Sequence, residues 1–339
     1  MKRVLLVFVI TLMCTGLILA AGQREAAGSS AEKEQYYWIA SVSTLPLFLF
    51  HDYPTLKQEA ESWGAEIHFQ GPTNIDIELQ NNILEQVMAK KPDGILFMPF
   101  GEGHNSTIDK CIDSGIPLVA IDGDAPNSKR LCYSGTDWVE LGRNQARVMA
   151  ELLNGTGEIM LSAVIPNDNT RKARMGIEEE MAKYPGIKIL GLMNDKASVE
   201  EAARLAAEHM QANPGIDGFI GIDAASGPGI AKAVEEAGKV DKIKIVCVDN
   251  TPDIVEAVKK GVISAAIVQM REAFEVWGFR VLYAYNHPAT PIMAKYKELG
   301  MPMIPNEILT GVVVMTPDNV GGVIEVLDYQ EQVYEEMGL

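Results

Sequence analysis

From residue 36 onward the chain alternates between short apolar runs and stretches whose apolar residues recur every three or four positions. YYWIASVS (36–43), ILFMPF (95–100) and IPLVAI (116–121) are runs of the first kind, each closed by turn-forming residues. EIMLSAV, IKILGLM, GFIGI and IKIVCVD continue the series through the second half. Apolar runs of this length, bounded by Gly, Pro, Asp and Ser, predict buried strands. Between them lie segments of helical period. Leu56, Ala60 and Trp63 line one such segment, which stops at Gly64; Ile75, Leu79, Ile83, Leu84 and Val87 line another, and 199–212 forms a third. Strict alternation of strand and helix, with strands apolar on both faces, predicts parallel sheets covered on both sides.

Two strand ends share a pattern. VAIDGDAP (119–126) and IVCVDNTP (245–252) each climb through apolar residues to an acid, Asp122 and Asp249, and then turn. The carboxyl edge of an open α/β sheet is where ligands bind. Two such ends, one in each half, predict two similar lobes closing on one ligand. A length of 339 residues suits two domains. The expected fold is α/β, two doubly wound parallel-sheet lobes joined by a three-crossing hinge. Crossings are expected near Gly135, at the end of ISAAIVQ (263–269), and near Leu309. The N-terminal lobe then comprises 36–136 plus 270–308, and the C-terminal lobe 137–269 plus 309–339.

The amino terminus has a separate character. Lys2 and Arg3 precede a long apolar run, and Ala20, Ala21 and Gly22 follow it. This is the pattern of a cleaved secretion signal over 1–22, with cleavage after Ala21 or Gly22. An uncleaved membrane anchor is the alternative, and a lipid on Cys14 a further one. The polar stretch 23–35 reads as a flexible tether. Cys111, Cys132 and Cys247 are odd in number and lack metal-ligand spacing, which suits buried free thiols. The formal charge of −17 opposes any phosphate backbone and argues against nucleic acid as a partner.

Signatures of catalysis are missing. No GxGxxG follows a strand, no GxxxxGK[ST] or HExxH occurs, and the five His are scattered. Polar groups at predicted strand ends remain. They are Asp122, Asp249, Asp223 in GIDAASG, Arg171 in NDNTRKARMGI, and Gln269 at the end of the crossing strand, with Phe48 in the first apolar loop. Each has an ordinary alternative: a turn or capping Asp, a solvated Arg, a satisfied buried amide, a core Phe. Together they suit polyol recognition. Carboxylates accept from hydroxyls, Arg and Gln donate to sugar oxygens, and an aromatic face packs on C–H surfaces. Three acids against one Arg favour a neutral cargo.

VSTLPLF, KPDGILFMP, SGIPLVAIDGDAP, NTRKARMGI, GIDAASGPGIAKAVEEAG, IVCVDNTPDIVEAVKKGVISAAIVQ and LTGVVVMTPDNV resemble, in order and spacing, the periplasmic sugar-binding proteins of ABC importers, of the ribose/galactose (type I) class. The resemblance covers about 36–319. It implies ligand contacts at Asp122, Arg171, Asp249 and Gln269, and first-loop contacts at Ser43 and Phe48. A ribose receptor has an Arg where this chain has Gly123, an aromatic at Val248 and an Asn at Ile222, so ribose itself is not implied. No calcium loop of the galactose/glucose type is visible, and no metal or cofactor is expected. The implied partners are a monosaccharide or polyol and an inner-membrane ABC permease, with the periplasm as location. The alternative is a sugar receptor that presents its ligand to a chemoreceptor or sensor kinase. A sugar-responsive repressor and a periplasmic enzyme are the other classes. The leader and the charge oppose the repressor, and the missing nucleophile–base pair opposes the enzyme.

Overall fold

The computed structural model describes residues 33–45 and 47–336. The expected signal segment, Cys14 and the tether up to residue 32 lie outside the described residues, and Gln35, the last residue of the expected tether, already begins a strand. Among the described residues, twelve strands form two six-stranded sheets. In the first, β1 (Gln35–Ile39), β2 (Glu66–Gln70), β3 (Gly94–Phe97), β4 (Leu118–Ile121), β5 (Cys132–Thr136) and β11 (Glu307–Thr310) lie in the order β2-β1-β3-β4-β5-β11. In the second, β6 (Thr156–Ala163), β7 (Gly186–Asn194), β8 (Gly218–Gly221), β9 (Lys244–Val248), β10 (Ala265–Gln269) and β12 (Val312–Met315) repeat that order as β7-β6-β8-β9-β10-β12. All pairs are parallel except β10–β12. The repetition makes β4 and β9 equivalent, so Asp122 and Asp249 follow the same strand of two like sheets.

Each sheet is buried on both faces, as its continuous apolar strands require. One face of the first sheet packs Trp38, Leu96, Val119 and Ile121 against Phe274, Phe279 and Leu282; the other packs Ile39, Ile95 and Phe97 against Leu84, Val87 and Ile108. The second sheet does likewise, with Phe219, Ile245 and Cys247 on one side and Ile159, Ile220 and Val246 on the other. Cys111, Cys132 and Cys247, the described cysteines, are free and buried. Burial raises their thiol pKa values, to about 12 for Cys111 and about 11 for Cys132, which leaves them unreactive.

The helix at Ile77–Ala89 departs from its sequence pattern. Leu84 and Val87 are buried, but Ile75 and Leu79 are exposed and Gln80 takes the inward place. The Gln80 amide donates to the carbonyls of Ala40 (3.1 Å) and Met98 (2.8 Å), two groups just past strand ends that have no ladder partner of their own. A polar side chain that satisfies two carbonyls thus outcompetes an apolar one.

The chain changes sheet three times. It leaves the first sheet after Thr136, and the helix Trp138–Leu152 packs into the core of the second. It returns at Met270, because the helix Arg271–Asn286 carries Phe274 and Phe279 onto the first sheet. The last crossing is at Gly311, between β11 and β12, past the Leu309 expected from sequence: Leu309 still pairs with Gly135, and Thr310 with Thr136.

Candidate functional site

Asp122 and Asp249 each sit one residue beyond the last residue of their strand, and each has a left-handed backbone, φ 61° and 73°. Asp tolerates this region better than most residues, at a modest cost. The amide of Asp122 donates to Ser134 O (3.1 Å) and that of Asp249 to Ile267 O (3.0 Å). Both peptides therefore stay tied to the neighbouring strand while the chain turns and the side chains stand at the sheet edge. The same backbone outlier recurs at equivalent places in two sheets and singles out these two strand ends as a candidate site.

Around Asp122 the structure builds a buried ionic cluster. Arg271, the first residue of its helix, directs Nε to Asp52 Oδ1 (2.9 Å) and Nη2 to both Asp52 Oδ2 (2.5 Å) and Asp122 Oδ2 (3.1 Å). Its guanidinium carbon lies 5.4 Å from the ring centre of Phe48 and 5.1 Å from that of Phe274, close enough for both faces to attract the cation. Asp122 is 5% exposed, and its Oδ1 has no hydrogen-bond partner among the described residues. Burial raises the Asp52 carboxyl to about 6 despite the pull of Arg271. Burial also works against the Arg271 charge, but the attraction of Asp52 and Asp122 outweighs it and keeps Arg271 protonated.

The second sheet contributes Asp249 and Gln269. Gln269 Nε2 donates to Asp249 Oδ1 (2.7 Å), and its Oε1 accepts from Thr136 Oγ1 (2.9 Å). Thr136 ends β5 and Gln269 ends β10, so this amide links the two sheets at a crossing. Asn169 Nδ2, from a helix of the second lobe, reaches Asp122 O at 3.3 Å and links them again. Burial raises the Asp249 carboxyl; Arg271 and the Gln269 amide pull it down, and the Asp122 charge pushes it up. The acids of the two lobes thus share one electrostatic environment.

Of the seven residues expected from sequence, four come together here: Asp122, Asp249, Gln269 and, beneath Arg271, Phe48. Phe48 is 3% exposed and packs edge-on against Trp38, so it acts on the site through Arg271. The structure leaves the other three outside this cluster. Ser43 donates to Pro72 O (3.1 Å). Arg171 is 59% exposed and grips Asp168, one turn earlier, through Nε (2.9 Å) and Nη2 (2.6 Å). Asp223 caps backbone, accepting from the amides of Val164, Ala225 and Ser226. Burial, and then neighbouring Asp195, raise its carboxyl to about 8.

Asp52 and Arg271 were not singled out from the sequence. One signal was available: Arg271 stands two residues beyond Gln269, at the first position of the helix that follows the crossing strand. Nothing local in HDYP marks Asp52. Among the described residues no group of acids, His and Cys has the arrangement of a metal site.

Two doubly wound lobes, three crossings and a polar cluster shared between carboxyl edges define a hinged solute receptor. Residues 41–287 match the model of the periplasmic binding protein domain, and the chain belongs to that family. It is 26% identical over 247 residues to a xylitol-binding protein of Mycolicibacterium smegmatis, covering 72% of this chain and 69% of that one. It is similar to the arabinose-binding protein AraP of Geobacillus stearothermophilus (27% identity, TM-score 0.75, covering 86% of this chain and 99% of that one). It also resembles an ABC transporter solute-binding protein of Agrobacterium vitis solved with α-D-tagatopyranose (29% identity, TM-score 0.76, covering 85% and 96%).

Proposed function

We propose that this protein captures a neutral sugar or polyol outside the cytoplasm, closes over it, and hands it to an ABC permease. The observation that carries the reading is the pairing of Asp122 and Asp249, two strand-end acids in the same rare backbone conformation on equivalent strands of two hinged lobes. One of them keeps a buried oxygen without a partner. A carboxylate oxygen in that state needs a hydroxyl donor, and a polyol supplies several. An anionic cargo would meet three acids and a single Arg that two of them already engage.

No covalent step is part of this reading; binding and closure suffice. Asp122, Asp249 and Gln269 supply polar contacts to the ligand, and the Thr136–Gln269 contact lets occupancy of one lobe be felt at the hinge. Family membership supports a location outside the cytoplasm, and the leader expected over 1–22 would deliver the chain across the membrane and then be removed. The names of the relatives suggest the cargo class, a pentose, hexose or pentitol.

A thermal-shift series with xylitol, arabinose, D-tagatose and D-allose tests the reading. A ligand at 100 times its Kd adds about 2.7 kcal/mol of stability. One or more of these compounds should raise the melting temperature in a saturable way, and small-angle scattering with that compound should show a smaller radius of gyration. No shift with any neutral sugar or polyol, together with a shift for a sugar acid or an amino acid, overturns it.

A further inference from the structure

Position 123, next to Asp122, cannot hold a side chain. A Cβ there would lie 2.1 Å from Pro99 O, and a backbone oxygen cannot withdraw. The guanidinium beside Asp122 comes instead from a residue 149 positions further along, after two lobe crossings. Its geometry is constrained. Nε and one hydrogen of Nη2 face Asp52, so the other Nη2 hydrogen, which meets Asp122 Oδ2, lies on the Nη1 edge of the planar group. Nη1 itself makes no hydrogen bond with any described residue, while Nε and Nη2 are engaged. Asp122, joined to that edge through Oδ2 (3.1 Å), keeps its Oδ1 buried and without a hydrogen-bond partner among the described residues. An unused donor and an unused acceptor thus belong to two groups already bonded to one another, held by a fork to Asp52 and by two aromatic rings.

We infer that Arg271 is the specificity-determining contact of this receptor, gripping through Nη1 the same ligand hydroxyl that donates to Asp122 Oδ1, with Asp52 as its positioning residue. The inference rests on the sugar-receptor reading above and deepens it. A hydroxyl both donates and accepts, so one group satisfies both atoms at once; an ether oxygen or a methylene satisfies at most one. The cleft therefore demands a free hydroxyl at one ring or chain position and rejects ligands that lack it. Asp52 touches no ligand in this account. It holds the guanidinium plane, as a rigid fork holds a planar cation, which Lys cannot reproduce.

The test uses the full-length protein and isothermal titration with xylitol, arabinose, D-tagatose and D-allose. The tightest binder is then compared with its monodeoxy analogues in wild type, Arg271→Lys and Asp52→Asn. In wild type, one deoxy position should cost about thirtyfold or more in affinity and the others much less. In Arg271→Lys the parent sugar should weaken by a similar factor, and the penalty for that one deoxy position should fall below about threefold. Asp52→Asn should reduce the same penalty without altering the others, a pattern that general loosening of the fold does not produce. Should Arg271→Lys fail to fold, the charge-neutral Asp52→Asn/Arg271→Gln pair replaces it under the same criteria. If wild type binds sugar and the variants keep its full set of deoxy penalties, this inference falls and the receptor reading stands. If wild type binds no neutral sugar or polyol and instead takes a sugar acid or an amino acid, both fall.

Discussion

Glu275 offers the sharpest test of the buried electrostatics. It lies one turn after Arg271, is 0% exposed, and neither carboxylate oxygen has a hydrogen-bond partner among the described residues. Burial pushes its pKa well above the ordinary range; the nearby charges of Asp52, Asp122 and Glu272 push the same way, and Arg271 opposes them. The folded protein therefore holds it as a neutral acid. A buried polar group without a partner costs about 1–3 kcal/mol, so Glu275→Met, of similar length and apolar, should stabilise the fold by roughly that amount near pH 4.5. The gain should grow with pH. In the unfolded chain the carboxyl ionises above about 4.3, while in the folded chain it keeps its proton. The folded state then binds more protons, and wild-type stability falls as pH rises, by up to about 1.4 kcal/mol per unit for this group. The Met variant lacks that term. Thermal melts of both proteins at pH 4.5, 6 and 7.5 should show a difference that widens with pH. A destabilised variant, or a constant gap, would mean that Glu275 is ionised and held by Arg271.

Two further outcomes follow from neighbouring groups. The raised Asp223 carboxyl gives another proton held by the folded state between about pH 4 and about 8, so it too makes stability fall with rising pH. Asp195→Asn removes the adjacent charge, which the hydroxyls of Ser162 (2.7 Å) and Ser226 (2.6 Å) now share, and should flatten the decline of melting temperature between pH 5 and 8; an unchanged slope would show that Asp223 is ionised throughout. Arg171→Lys alters an exposed pair with Asp168, worth a few tenths of a kcal/mol, and should leave sugar affinity within about twofold. A tenfold loss by titration calorimetry would show its guanidinium turning into the cleft on binding.

The fold was legible because its signal is periodic. Runs such as ILFMPF and IKIVCVD are apolar on both faces, and only a covered parallel sheet accommodates many of them. The two strand-end acids were legible for the same reason, since a strand's end can be read from where its apolar run stops. Departures occurred where a polar group answers a backbone need or a distant charge. Gln80 lies inward because two carbonyls, at Ala40 and Met98, lack partners. Arg271 and Asp52 find one another across 219 residues, and such a pairing leaves no spacing to detect. Arg171 shows the reverse: its position at a loop-to-helix junction is that of a ligand contact, but the rotamer is decided by Asp168, three residues away. The third crossing lies at Gly311 rather than Leu309 because β11 keeps its parallel pairing with β5 as far as Thr310.

The central claim is that Asp122 and Asp249 hold one ligand from two lobes. Isothermal titration of wild type, Asp122→Ala, Asp249→Ala and the double variant with the tightest-binding sugar tests it most directly. Each single change removes a charge-assisted hydrogen bond to the ligand, so affinity should fall about tenfold to a hundredfold or somewhat more, in variants that still melt cooperatively above the assay temperature. Because both acids grip the same molecule, the double variant should lose measurable binding altogether. Wild-type affinity in either single variant would reduce that acid to a turn residue and contradict the account.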